Sequence, residues 1–94
     1  MFGDPCGGVF KNLNIAARCV DAKTIGGTAL EGSTLTLTCS PGKFINFIEF
    51  ASYGTPIGAL GNFATSSCDS TTSLSVAQQV CLGQSTCDLE SQNR

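Results

Sequence analysis

Apolar and polar residues alternate over 11–19. Leu13, Ile15, Ala17 and Cys19 fall on one side, with Asn12, Asn14 and Arg18 on the other, the period of a half-buried strand. The same period returns over 33–39, with Leu35, Leu37 and Cys39 on one side and three threonines on the other. Ser40-Pro41-Gly42-Lys43 is a turn. The stretch 44–52 (FINFIEFAS) is the most apolar run and predicts a central strand covered on both faces. Between the first two strands, 21–28 (DAKTIGGT) has paired glycines and no period, so it reads as a connector. Residues 53–69 form a long irregular loop tied down by Cys68. A helix is expected over about 72–82, capped by Thr72 or Ser73 and stopped by Gly83. Its apolar face is Leu74, Ala77, Val80 and Cys81, and 87–90 closes as a short strand. The expected fold is α+β: a small, disulfide-stapled, antiparallel β-sandwich-like domain with one main helix and long binding loops.

The opening turn, 2–11, does not fit the alternation. It holds three glycines and a proline, which force tight turns, and among them Asp4, Cys6 and Lys11. A charged turn at a chain end is ordinarily solvated and frayed. Pinned by a cysteine, it can instead hold an acceptor and a donor in fixed positions.

Composition narrows the class. A chain of 94 residues makes one domain with a marginal core. Six cysteines without a histidine or a CxxC pair point to disulfides rather than zinc, and to a secreted, extracellular domain. Any secretion signal would lie outside these residues. A net charge of −2 with no basic stripe leaves nucleic acid without an electrostatic footprint. No run reaches the ~20 apolar residues of a membrane span, so no membrane insertion is expected. No catalytic serine, histidine or phosphate-binding loop is evident, and no cofactor or metal is implied. A carboxylate pair such as Asp4 and Glu31 would be the one route to hydrolysis, so the chain reads as a non-enzyme.

Read with its end placed before its beginning, the chain resembles the galactose- and rhamnose-binding lectin domain of sea-urchin and fish-egg lectins. That domain also occurs in latrophilin receptors and at the C-terminus of plant β-galactosidases. The family's closing motif, Asn-x-x-Phe-Gly-Asp-Pro-Cys-x-Gly-x-x-Lys-x-Leu, falls on Asn93-Arg94-Met1-Phe2-Gly3-Asp4-Pro5-Cys6 and continues through Gly8, Lys11 and Leu13. Glu31-Gly32 and Phe50-Ala51-Ser52-Tyr53-Gly54-Thr55-Pro56 match its opening half, with the plant enzymes closest. The resemblance implies one permuted domain over 1–94, with 1–20 as closing segment, 21–29 as connector and 30–94 as opening segment. A window cut out of phase from a tandem array fits the same residues. Tyr53-Gly54-Thr55 stands where the family has Tyr-Gly-Arg.

The resemblance also implies a sugar site without metal. Asp4 and Glu31 would accept from sugar hydroxyls, and Lys11 and Asn93 would donate. Gly8 would admit the sugar to the backbone, and Tyr53 would wall one side. Taken singly, each of these residues has an ordinary structural explanation; together they match one binding set. Galactosyl or rhamnosyl glycans are the implied partners, and a dimer or tandem partner would add avidity. A protein-interaction module or an accessory domain of a glycosidase are the alternatives. Six cysteines allow fifteen connectivities. The short stretch between Cys81 and Cys87 makes that bridge easy, and the resemblance implies Cys6–Cys68 and Cys19–Cys39 besides. Two family cysteines are Leu30 and Leu60 here, and an apolar contact between them is expected in place of the lost bridge. Across the seam, Met1 and Arg94 should lie close together.

Overall fold

The computed structural model describes residues 2–92. Five strands and one helix follow in order: β1 (Asn12–Cys19), β2 (Thr24–Leu30), β3 (Thr34–Thr38), β4 (Ile45–Gly54), α1 (Ser73–Cys81) and β5 (Thr86–Glu90). They form a three-stranded antiparallel sheet, β2-β1-β4, and a two-stranded antiparallel sheet, β3-β5. The core lies where α1 and the second sheet cover one face of the first. Leu13, Ile15, Ala17 and Cys19 of β1 meet Leu37 of β3, Leu89 of β5 and Ala77 and Cys81 of α1 there. Three disulfides staple the layers: Cys6–Cys68, Cys19–Cys39 and Cys81–Cys87.

Two expectations about the sheet fail, each for a local reason. The connector expected over 21–28 is largely strand β2, paired with β1 from Arg18↔Thr24 to Asn12↔Leu30. Its period is hidden by glycine. A Cβ on Gly26 would stand 2.1 Å from the Ile15 carbonyl oxygen and 2.9 Å from Leu60 Cδ1, so close backbone approach requires the bare residue. The second failure is β4, expected in the centre but lying at one side of the sheet, while β1 is central. Two register shifts explain the misleading run. Glu49 and Asn46 are skipped where Ala16 and Ala17 pair with Phe50 and Ile48, and Arg18 and Cys19 with Phe47 and Ile45. Each bulge turns the period of two locally into three. Ile45, Ile48, Ala51 and Tyr53 therefore point to the core, and Phe44 and Phe47 are left exposed. Phe50 packs on Phe63 of the long loop, ring centroids 5.6 Å apart.

Helix α1 departs from expectation at its first turn. Thr72 occupies the cap position but makes no side-chain capping bond. Its hydroxyl bonds Ser70 Oγ at 3.0 Å and donates to the Phe2 carbonyl at 3.4 Å. Leu74, expected on the apolar face, is exposed, and Ser73, Ala77 and Cys81 are the buried set. Gly83 follows the helix at φ +83°, a left-handed position that suits glycine, and its N–H donates to the Ile45 carbonyl at 2.8 Å. Leu30 and Leu60 do not replace the lost bridge. Leu60 Cδ1 sits at Gly26, four residues and ~13 Å along the strand from Leu30. Leu30 itself is 56% exposed.

Met1 and Arg94 lie outside the described residues, as does Asn93. The described ends do meet. Phe2 N–H donates to the Gln92 carbonyl at 3.2 Å.

Candidate functional site

The loop 2–11 is built by glycine and closed by its cysteine. Gly3 and Gly8 take φ of +74° and +77°, which side chains with a Cβ rarely adopt. Val9 N–H donates to the Cys6 carbonyl at 3.2 Å, and Cys6 is bridged to Cys68. This folds Asp4 back over the start of β1, where Lys11 sits. From the other side comes the turn after β2, which carries Glu31. Lys11 N–H donates to Glu31 Oε1 at 3.0 Å, and Glu31 N–H donates to the Lys11 carbonyl at 2.9 Å.

At the centre is the Lys11 ammonium. Its Nζ stands 2.7 Å from Asp4 Oδ1, 2.8 Å from the Val9 carbonyl and 3.8 Å from Glu31 Oε1. The side chains of Lys11, Asp4 and Glu31 are 2%, 46% and 29% exposed. The cation is therefore buried beneath two carboxylates that reach solvent. A buried ammonium is tolerated only when its charge and donors are satisfied, and this one has a carboxylate and a carbonyl in hydrogen-bond range. Two of its three N–H groups are thereby committed. What the trio presents outward is a pair of oriented acceptors carrying one net negative charge.

Tyr53 lies below. The resemblance places it as a wall beside the ligand; the structure buries it fully on β4, opposite Leu13 of β1. The Phe2 ring covers it, centroids 5.2 Å apart and planes 23° from parallel. Burial raises the phenol's pKa above its ordinary value, and the negative charges of Glu31 and Asp4 add to the rise. Tyr53 is thus a neutral phenol packed beneath the Phe2 ring. Gly8 lies at the exposed side of the loop, with open space where a Cβ would stand. Of the six expected site residues, the structure brings Asp4, Lys11 and Glu31 into contact and puts Tyr53 under them. Gly8 is on the same loop, and Asn93 falls outside the described residues.

Sequence reasoning missed a polar clasp that holds Phe2. Ser70 Oγ donates to the Phe2 carbonyl at 2.6 Å, beside the Thr72 bond already described. Ser73 Oγ accepts from Tyr53 N–H at 2.9 Å and donates to the Ser70 carbonyl at 2.7 Å. The run Asp69-Ser70-Thr71-Thr72-Ser73 was legible as a hydroxyl cluster, but its proximity to a helix start made capping the natural reading. Among the described residues no cluster of three or more His, Cys, Asp or Glu side chains is placed to hold a metal ion. No helix there is long and apolar enough to cross a membrane.

The model of the D-galactoside/L-rhamnose binding SUEL lectin domain matches residues 37–94. The chain belongs to that family. Proteins similar to it include plant enzymes by name. Beta-galactosidase 11 of Arabidopsis thaliana is 46% identical over 54 residues, covering 57% of this chain and 6% of that protein. Beta-galactosidase 8 of the same plant is 41% identical over 61 residues, 64% of this chain and 7% of the other. Beta-galactosidase 7 of Oryza sativa subsp. japonica is 32% identical over 93 residues, 95% of this chain and 12% of the other. The SUEL lectin domain described here thus spans a small fraction of the length of these relatives. No solved structure matches it with significance. Within the matched range lie Tyr53, Ser70 and Ser73; Asp4, Gly8, Lys11 and Glu31 lie before it.

Proposed function

We propose that this domain is a non-catalytic carbohydrate-binding module that takes a terminal D-galactose or L-rhamnose unit without a metal ion. The observation that carries the reading is the Asp4–Lys11–Glu31 trio. It joins the loop before β1 to the turn after β2 and points two carboxylates at solvent from a buried cationic anchor. Neutral sugars offer vicinal hydroxyls, and fixed carboxylates accept from them in charge-assisted hydrogen bonds. Asp4 and Glu31 are the acceptors in this reading, and Gly8 leaves room for the ring to approach the backbone. Lys11 holds both carboxylates in place from beneath. Asn93 adds a donor at the seam.

The same geometry argues against hydrolysis. A glycosidase sets its two carboxyl groups on either side of the scissile bond, whereas Asp4 and Glu31 both turn to one ammonium, that of Lys11. Similarity to β-galactosidases fits an accessory role, in which the domain holds a galactosyl chain while another domain reacts with it. Three disulfides fit an oxidising, extracellular setting. The permuted order of the domain is supported by the contact between Phe2 and Gln92, which brings the described ends of the chain together.

Amide NMR titration with galactose and with rhamnose tests the function. Shifts are expected to cluster at Asp4, Gly8, Lys11 and Glu31. Absence of shifts at millimolar sugar, with the fold intact, would rule out a working sugar site.

A further inference from the structure

Asp4 also borders a concavity that Lys11 and Glu31 do not line. It is a cleft of about 330 Å³ lined by Phe2, Asp4, Pro5, Asp69, Ser70, Thr71 and Thr72. Its volume stands at the lower end of small-molecule sites, roughly 300–1,000 Å³. Asp4 is common to the cleft and to the trio: its Oδ1 is committed to Lys11, and the rest of its side chain borders the cleft.

The lining has a consistent chemistry. Pro5 and the edge of Phe2 supply carbon, two carboxylates supply acceptors, and Thr71 supplies a hydroxyl, that of Thr72 being bonded to Ser70 and the Phe2 carbonyl. None of the seven residues is cationic, and the nearest ammonium, Lys11, is buried behind Asp4. The walls are also fixed in place. Asp69 Oδ1 accepts from Ser52 Oγ at 2.6 Å, Ser70 is bonded to the Phe2 carbonyl, and Cys68 next to Asp69 is bridged to Cys6 next to Pro5. A preformed cleft loses little ordering entropy when it is filled. An acceptor-rich, cation-free surface suits a neutral polyhydroxyl ring and repels an anionic one.

We infer that this cleft is a second subsite, which takes the sugar unit next to the terminal galactose of a neutral oligosaccharide. The inference rests on the sugar-binding reading of the trio and extends it from a monosaccharide to a disaccharide. Asp4 sits at the junction, facing one unit on each side. Pro5, Asp69 and Thr71 become specificity-determining positions, selecting linkage and rejecting uronic acids.

Calorimetric titration of the intact chain with galactose and with a panel of α- and β-linked galactobioses tests the inference. At least one galactobiose should bind about tenfold more tightly than galactose, corresponding to ~1.4 kcal/mol. Thr71→Trp, which fills the cleft, should bring the affinity ratio of the two ligands to about one, the equality expected when only one unit makes contact. In NMR spectra that galactobiose should move the amides of Ser70, Thr71 and Thr72, which galactose alone leaves in place. If galactose binds and no galactobiose exceeds it, the second subsite is refuted while the lectin reading stands. An affinity ratio that survives Thr71→Trp refutes the subsite equally. If neither ligand binds, both fall together.

Discussion

Replacing Lys11 by methionine separates what the ammonium does from what its stem does. The methionine keeps most of the buried aliphatic volume at the start of β1, so the cavity penalty of a truncation is avoided. What disappears is one charge-assisted bond to Asp4, one bond to the Val9 carbonyl and the weaker attraction to Glu31. A hydrogen bond to a charged group contributes ~1.5–3 kcal/mol. Asp4 is nearly half exposed and can rehydrate, which puts its loss at the lower end. With the carbonyl bond and the uncompensated carboxylate pair added, the expected destabilisation is about 2–3 kcal/mol. For a domain of this size that lowers Tm by roughly 10–20 °C. Thermal unfolding followed by circular dichroism reads the shift, and the three disulfides keep the variant folded at room temperature. Adding Asp4→Asn and Glu31→Gln removes the like-charge pair and should restore part of the loss. The reasoning fails if Lys11→Met melts within about 2 °C of the parent, or if neutralising both carboxylates lowers Tm further.

Other expectations concern the support beneath the site and the sheet beside it. Tyr53 is the single tyrosine and there is no tryptophan, so ultraviolet absorbance follows its ionisation without interference. Its folded pKa is raised, so above about pH 10 the unfolded chain releases this proton while the folded chain keeps it. Stability is therefore unaffected below that range and falls as pH rises through it; Tyr53→Phe should flatten the alkaline limb of a Tm–pH profile, and an unchanged limb counts against the burial. In β2, Gly26→Ala drives a Cβ into the Ile15 carbonyl and should cost ~1–3 kcal/mol. Gly27→Ala meets only Leu35 Cδ1 at 3.5 Å and should be tolerated by comparison, so equal melting of the two variants would contradict the close approach.

Much of the framework was legible from period alone. β3 and β5 alternate as read, and α1 carries its buried residues at helical spacing with a glycine stop, but β1, read as half-buried, is the central strand and buries Asn14 and Ala16 as well. β2 was not legible, because a strand whose middle is two glycines has no side chains there to alternate. β4 was legible as a strand and misleading about its place, because hydrophobic density says nothing about bulges that turn phenylalanines outward. The site shows the same split. The charged trio came from resemblance, but the burial of Lys11 was already written in the alternation. Lys11 is in phase with Leu13, Ile15, Ala17 and Cys19, the inward set of β1. Tyr53, facing Leu13 across the ladder, was inward by the same logic. The clasp of Ser70, Thr72 and Ser73 on the first turn was beyond reach. Its bonds to Phe2 join residues about seventy apart in sequence, and hydroxyls at a helix start have a nearer partner to suggest.

The bond between Phe2 and Gln92 has a consequence for how the domain is carried. Whatever polypeptide is joined at either end departs from one spot, next to Asp4 and the cleft beside it. Were a larger body tethered at both ends, Asp4 and the cleft beside it would face that body rather than turn away from it. Ligand access and linker length become one problem: a short tether shields the surface, and a longer one opens it.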